Sequence, residues 1–354
     1  MADAGGKTLK AIRELKDAGF FRETELATIE EVARSFAVSI SPEMLALIDI
    51  EGASGPIATQ FVPSPLELLF APEELADPIG DKAHSPVPGI VHRYPDRVLF
   101  KPANVCAVYC RFCFRRETVA NSAESLDDAA IERALNYIES TPSIWEVVVS
   151  GGDPLILSAR RLKVIMRCLE DIKHIGVVRF HTRIPVVRPE LIDLGLIDAL
   201  KIDKAVYLIL HTNHVRELTE EARRACAKLI NSGFPMLSQT VLLKGVNADA
   251  QTLTSLFRAL VEMRIKPYYL HHGDLAKGTK HFRTSIEQGQ ELMRTLRGTV
   301  SGLCQPLYVL DIPGGHGKVP IGPNYLSRSP EGSFEVCDVR GSMHTYCDSV
   351  APTI

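Results

Sequence analysis

Short runs rich in β-branched and aromatic residues alternate with longer amphipathic segments from residue 98 onward. Consecutive parallel strands need a crossover connection, usually a helix, so this alternation is typical of a parallel sheet. The predicted strands are residues 98–100, 146–149, 177–180, 206–210, 237–241 and 268–270. About six strand–helix units fit an α/β fold, an incomplete (β/α)6-type barrel. Because chemistry in such barrels lies on the loops after the strands, residues just beyond each strand are the first candidates for a site.

Polar residues at the expected helix starts support this division of the chain. Thr219 and Asp249 each precede an apolar periodic run, and Ser285 with Gln288 three residues later fits a capping box. These signals predict helices that begin where the strand pattern ends.

The first ninety residues have a different pattern. Helix-like apolar spacing occurs at residues 8–16, 23–36 and 42–48, and a proline-rich stretch follows through residue 88. We expect an N-terminal helical extension over residues 1–90, the barrel over 91–330 and a C-terminal tail over 331–354.

Charge and hydropathy limit the class of protein. The net charge of −3 gives no sign of the basic surface that nucleic-acid binding requires. Small molecules are therefore the expected partners, and no nucleic acid is expected. No run of 18 apolar residues occurs, and the first twenty residues are polar and contain lysines, which predicts no membrane span and a cytoplasmic location.

Three cysteines stand close together after the first predicted strand. Cys106, Cys110 and Cys113 form a C-x3-C-x2-C pattern in "NVCAVYCRFCFRR". Thiolates are the usual ligands of iron–sulfur clusters, and a [4Fe-4S] cluster held by three of them keeps one iron open for another ligand. A zinc site or ordinary buried cysteines are the alternatives.

The other five cysteines are dispersed. Cys168, Cys226 and Cys304 lie in apolar helical or strand-like patterns and are expected in the core. Cys337 and Cys347 receive no role from the sequence.

The cysteine loop resembles that of the radical S-adenosylmethionine (SAM) superfamily. The strand after it ends in "VVVSGGDPL", which is similar to the superfamily's glycine-rich turn. Gly151 and Gly152 are expected to let the backbone approach the methionine part of SAM, and Asp153 offers a carboxylate for its ammonium.

A second glycine-rich turn stands near the other end, in "LDIPGGHGKVP". It does not fit a Walker phosphate loop, because Ile312 replaces its first glycine and Val319 replaces the Ser or Thr that binds magnesium. Taken in isolation, the segment is a surface turn that carries Lys318.

From about residue 92 to residue 325 the chain is similar to the lysine 2,3-aminomutase family, in "HRYPDR", "YCRFCFRRE", "SGGDPL", "PYYLHHGDLAKGTKHFRT" and "PGGHGK". In that family the lysine of the glycine-rich turn forms the Schiff base with pyridoxal 5′-phosphate (PLP), so the resemblance implies this role for Lys318. It further implies that Arg93, Tyr94 and Arg97 bind the PLP phosphate. His211 and Gln239, which lie in or directly after later strands, are expected to contact SAM.

The resemblance also assigns substrate-binding residues. Arg115 matches the arginine that binds the substrate carboxylate, and Asp274 and Asp311 match two aspartates that bind its ε-ammonium. Two buried carboxylates are costly without a cation, which favours L-lysine over a glutamate-type substrate. A solvent-facing arginine and two turn or cap aspartates are the alternatives.

The implied reaction moves the amino group of L-lysine from C2 to C3 through a 5′-deoxyadenosyl radical and yields β-lysine. An electron donor such as flavodoxin or ferredoxin is then required, and a homo-oligomer is compatible with this interpretation. Relatives that supply (R)-β-lysine to translation elongation factor P are a second enzyme hypothesis, and a structural zinc-binding protein is a third.

Overall fold

The computed structural model describes residues 7–119, 125–329 and 332–348. Four helices precede the sheet, namely α1 (Ile12–Asp17), α2 (Leu26–Ser35), α3 (Pro42–Glu51) and α4 (Pro56–Phe61). The expected helical character of the N-terminal part is therefore confirmed. Helix α4 lies in the proline-rich stretch, where the sequence predicted no helix. Its first residue is a proline, and at that position the missing N–H costs no hydrogen bond.

A nine-stranded sheet forms the body of the protein. Its strands are β1 (Ile90–Tyr94), β2 (Arg97–Ala103), β3 (Glu146–Gly151), β4 (Val177–Thr182), β5 (Ala205–His211), β6 (Met236–Val241), β7 (Lys266–His271), β8 (Leu307–Asp311) and β9 (Lys318–Pro320). They follow one another in sequence order, β2 to β8 are parallel, and β1 and β9 pair antiparallel at the two ends. The sheet is thus a curled, open barrel, which confirms the predicted fold class.

Helices connect the parallel strands. They are α5 (Asp128–Glu139), α6 (Ala159–Asp171), α7 (Ile184–Val187), α8 (Leu194–Leu200), α9 (Glu220–Asn231), α10 (Ala250–Glu262) and α11 (Ile286–Thr299). The predicted start signals are confirmed, because Thr219, Asp249 and Ser285 each accept a backbone N–H of the first turn of α9, α10 and α11. All six predicted strands are present as β2 to β7, whereas β1, β8 and β9 were not predicted.

The core lies between the sheet and the surrounding helices. On β3, Val147 and Val149 are fully buried in this core, while the alternate residues Val148 and Ser150 line the interior of the barrel. Cys226 and Cys304 are buried in the core as expected, and Cys168 is partly exposed. Strand alternation therefore leaves a cavity inside the barrel that is lined by both polar and apolar residues.

A small three-stranded sheet follows the barrel, formed by β10 (Leu326–Arg328), β11 (Phe334–Cys337) and β12 (Met343–Tyr346). Within the described ranges, no helix has both the length and the apolar character needed to cross a membrane.

Candidate active site

The interior of the barrel holds a cavity of about 680 Å³. This is large enough for drug-sized ligands, whose pockets are usually 300–1,000 Å³. All the residues predicted for cluster, cofactors and substrate line it, although they come from eight separate segments: Arg93, Tyr94, Arg97, Cys106, Cys110, Cys113, Arg115, Gly151, Gly152, Asp153, His211, Gln239, Asp274, Asp311 and Lys318. The structure brings them together, and their individual roles remain predictions.

The cysteine loop follows β2 and is fixed to the N-terminal helices by backbone hydrogen bonds. The N–H of Tyr109 donates to the carbonyl of Ser39 at 2.8 Å, and that of Arg111 donates to the carbonyl of Gln60 at 2.8 Å. The Tyr109 hydroxyl donates to the carbonyl of Arg116 at 2.7 Å within the loop. These contacts define the shape of the loop and connect it to the N-terminal extension.

The three cysteines are free thiols whose side chains line the cavity. Burial raises the pKa of the Cys110 thiol to about 12 and also raises the pKa of Cys106 and Cys113. Repulsion between neighbouring cysteines adds to this effect at Cys106 and Cys110. Three thiolates in this place would therefore need a positively charged partner. Within the described part of the chain, no three His, Cys, Asp or Glu side chains are arranged to hold one metal ion.

A buried carboxylate of the N-terminal extension pairs with two arginines in the second half of the cysteine loop and just after it. Glu67 of the N-terminal extension accepts hydrogen bonds from Arg111, at 2.6 Å from Nη2, and from Arg116. All three side chains are at most 1% exposed. Burial opposes ionisation of Glu67, but the two arginines outweigh it and keep the pKa of its carboxyl below the usual value. The extension thereby positions the loop through charge as well as packing.

The Gly-Gly turn after β3 packs against the start of the cysteine loop. A Cβ atom at Gly152 would lie 2.2 Å from the carbonyl oxygen of Val105, and one at Gly151 would lie 2.7 Å from that of Ala103. Gly151 also has a φ of +104°, which favours glycine. The structure therefore gives these glycines a packing role beside the loop, in addition to the predicted approach to SAM.

Asp153 is buried at this turn and is engaged by protein groups. Its carboxylate accepts hydrogen bonds from Thr182 Oγ1 at 2.8 Å, from the N–H of Arg183 at 2.6 Å and from the N–H of Leu155 at 3.1 Å. Burial outweighs these bonds and raises the pKa of its carboxyl to about 6. Asp153 thus connects the ends of β3 and β4, and the predicted ammonium contact would use its remaining acceptor capacity.

Neutral imidazoles and an amide occupy the carboxyl ends of the central strands. His181 Nδ1 lies 3.3 Å from His211 Nε2, and burial followed by the charge of Arg183 lowers the pKa of His211 to about 3. Burial also lowers the pKa of His181 well below the usual value. His181 Nε2 and Gln239 Oε1 are buried without a hydrogen-bond partner. Such atoms favour a polar ligand in this part of the cavity.

The two edge strands of the sheet, β1 and β9, face each other across a gap, and Lys318 is the first residue of β9 at this gap. Its backbone N–H donates to the hydroxyl of Tyr94, the last residue of β1, at 2.8 Å. Its Nζ forms an ion pair with Asp311 and lies 3.1 Å from His271 Nδ1. Burial opposes ionisation of Asp311, but His271 and Lys318 together hold the pKa of its carboxyl well below the usual range. Two side chains thus hold the amine, and Tyr94 holds the backbone of the same residue.

The predicted phosphate-binding residues lie around this gap. Arg97 pairs with Asp96 at 2.7 Å and stacks on the ring of Tyr94, 3.8 Å from its centroid. Arg93 donates to the carbonyl of Ile79. Two arginines and a tyrosine within reach of Lys318 match the donors that a phosphate needs.

The second predicted substrate aspartate, Asp274, follows β7. Burial and then the nearby charge of Asp311 raise the pKa of its carboxyl to about 7, and Lys318 and Arg115 act in the opposite direction. Asp274 is thus much less acidic than Asp311, which is already paired with Lys318.

Sequence reasoning missed four residues of this site: Glu67, Asp81, His181 and His271. His181 and His271 are in or at the ends of predicted strands, so the rule that sites follow strand ends would have found them. Glu67 and Asp81 belong to the extension and approach the barrel through contacts distant in sequence, for which the sequence carries no local signal.

Comparison with known proteins gives consistent matches along the chain. Residues 100–256 match the family model described as Radical SAM superfamily, and residues 293–349 match the one described as Lysine-2,3-aminomutase. L-lysine 2,3-aminomutase of Clostridium subterminale is 38% identical over 97% of this chain and 82% of that protein. The protein of the same name from Methanococcus maripaludis is 42% identical over 86% and 71%. Glutamate 2,3-aminomutase of Clostridioides difficile is 40% identical over 84% and 70%.

Proposed function

Since this chain belongs to the lysine 2,3-aminomutase family of the radical SAM superfamily, we propose that it interconverts L-lysine and β-lysine by 2,3-migration of the amino group. The family makes it an isomerase with a small-molecule substrate. Its relatives include proteins named for lysine and one named for glutamate, so the choice of substrate must come from the residues of this site.

The family implies a [4Fe-4S] cluster and SAM, and the cavity residues fit both. Cys106, Cys110 and Cys113 supply three sulfur donors from one loop, which leaves an open iron for SAM. The unpartnered atoms of His181 and Gln239 and the Gly-Gly turn line the same cavity as the cysteines and would contact SAM there. An external electron donor, such as flavodoxin or ferredoxin, is part of the proposal.

PLP is the second proposed cofactor. Lys318 offers the amine, and Arg93, Tyr94 and Arg97 offer donors for the phosphate at the same end of the cavity. When bound, the cluster with SAM would supply the radical, and PLP would hold the migrating nitrogen. The protein residues orient these groups and exclude water from them.

The charges of the cavity fit an α-amino acid with a cationic tail. Arg115 follows the cysteine loop and is available for a carboxylate, whereas Asp274 and Asp311 follow β7 and end β8 beside Lys318. The observation that carries the proposal is the adjacency of these two aspartates, which repel each other and are stabilised by a cation. A glutamate side chain would add a third negative charge there.

The test is an anaerobic assay with reconstituted cluster, SAM, PLP and a strong reductant, with L-lysine and L-glutamate as separate substrates. We expect β-lysine from lysine and no product from glutamate. Lys318→Ala and Cys110→Ala should abolish the reaction, and Glu220→Gln, an exposed change on α9, is the control.

Two outcomes would contradict the proposal. β-Glutamate formation would assign the substrate to the glutamate type, and full activity of Lys318→Ala would remove PLP from the reaction. Chiral analysis of β-lysine also tests the second enzyme hypothesis, since supply of the translation factor requires the R isomer.

A further inference from the structure

A carboxylate of the N-terminal extension, Asp81, lies between two arginines of the cavity. Its Oδ2 accepts a hydrogen bond from Arg115 Nε at 3.0 Å and lies 3.0 Å from Nη2 of the same side chain. Its Oδ1 accepts one from Arg93 Nη2 at 3.3 Å. The three side chains are 10–15% exposed. Charge-assisted contacts of this kind hold their partners more firmly than neutral hydrogen bonds do.

The segment around Asp81 is itself held in place. Asp77 accepts the backbone N–H of Asp81 and that of Lys82, each at 2.9 Å. Gly80 has a φ of +68°, and a Cβ atom there would lie 2.6 Å from the backbone of the turn at Gly314. The turn that leads to Lys318 therefore packs against Gly80 of this segment. Asp77, which belongs to the segment itself, holds its backbone by hydrogen bonds.

The contact with Asp81 uses one edge of the Arg115 guanidinium. Nε and Nη2 face the carboxylate, so the Nη1 side keeps donors for a second anion. Lys101 Nζ lies 3.7 Å from the same Asp81 oxygen. Three cations, Arg93, Lys101 and Arg115, thus converge on one carboxylate, and this excess positive charge favours anionic ligands beside them.

We propose that Asp81 is a positioning residue, which orients Arg115 toward the substrate carboxylate and Arg93 toward the cofactor phosphate. This inference rests on the proposed function of both arginines. Asp81 contacts neither ligand in this arrangement, and its effect on substrate binding passes through Arg115. One carboxylate of the N-terminal extension would then align two anion-binding residues of the cavity.

The experiment measures the Kd of L-lysine by calorimetry on reconstituted, PLP-loaded protein without reductant. Asp81→Asn should weaken lysine binding about 10-fold, the effect of one hydrogen bond to a charged group. In an Arg115→Gln background, Asp81→Asn should change the Kd by less than about 2-fold, since residues that act through one another are not additive. Binding of cadaverine, which lacks the carboxylate, should not change, and Glu73→Gln, an exposed carboxylate of the extension, is the control.

Equal weakening of lysine and cadaverine binding, or persistence of the full effect in the Arg115→Gln background, would overturn the inference. If Asp81→Asn fails to fold in a thermal melt, Asp81→Glu, which displaces the carboxylate by one methylene, is expected to give the same pattern. A normal Kd for lysine in Arg115→Gln itself would instead refute the substrate assignment of the proposed function.

Discussion

The imidazole of His271 lies with Nδ1 3.1 Å from Nζ of Lys318. The same Nδ1 lies 3.4 Å from Oδ2 of Asp311, so the ring faces both members of the Lys318–Asp311 ion pair. Burial and then the charge of Lys318 lower the pKa of His271 to about 4, which keeps the ring neutral at physiological pH. The amine proposed to bind PLP therefore lies beside a neutral imidazole and is paired with the Asp311 carboxylate.

Removal of the Lys318 charge should raise the pKa of His271. In Lys318→Met we expect a value between about 4 and the ordinary 6.5, because burial persists after the cation is lost. Titration of the His271 ring protons by NMR measures this change, and the neighbouring His272, which pairs with Tyr308 at 2.7 Å, is the internal control. An unchanged His271 titration would show that the two side chains do not interact in solution.

Lysine binding should strengthen as pH rises through about 7. Asp274 has a carboxyl pKa raised to about 7, so it is protonated below that pH and ionised above it. A ligand that needs the ionised form loses up to about tenfold in affinity for each pH unit below the pKa. Calorimetry between pH 5.5 and 8.5 measures the dependence, and Asp274→Asn should flatten it. If the pH dependence of lysine affinity persists in Asp274→Asn, a group other than Asp274 causes it.

Gly152→Ala should disturb the cysteine loop. The added methyl group would lie 2.2 Å from a backbone oxygen of Val105, and the backbone cannot move aside as a flexible side chain would. We expect a loss of about 1–3 kcal/mol in the free energy of unfolding and a lower iron and sulfide content after reconstitution. Gly302→Ala, at a glycine with open space around it, should leave both values unchanged. Equal cluster content in the two variants would contradict the packing role.

Glu67→Gln should destabilise the protein strongly. It leaves Arg111 and Arg116 buried without their counter-charge, and breaking such a group costs about 3–5 kcal/mol. Denaturant unfolding gives the value, and Glu220→Gln, which removes an exposed pair with Arg224, should cost less than about 1 kcal/mol. Similar losses for both variants would mean that the buried group contributes no more than a surface pair.

The barrel could be predicted from sequence because its strands and helices have local signals. β2 to β7 are apolar runs between amphipathic segments, and Thr219, Asp249 and Ser285 mark helix starts with residues that cap them. β8 was missed because its short apolar run fits a helix or a loop equally well. β1 and β9 are edge strands whose pairing depends on the completed sheet.

The site could be predicted only in part for a similar reason. Cysteine spacing and the glycine-rich turns are local, and the resemblance to a family supplied the roles of distant residues such as Arg115. Glu67 and Asp81 act through partners 44 and 34 residues away in sequence, so neither their burial nor their pairing is visible before the chain folds.

The gap between β1 and β9 also determines how the cavity can respond to its contents. Along the parallel strands, continuous backbone ladders resist separation, whereas at Lys318 the wall is joined across the gap by the hydroxyl of Tyr94. Tyr94 is therefore the side chain that joins the last residue of the first strand to the first residue of the last strand, directly at the lysine proposed to bind PLP.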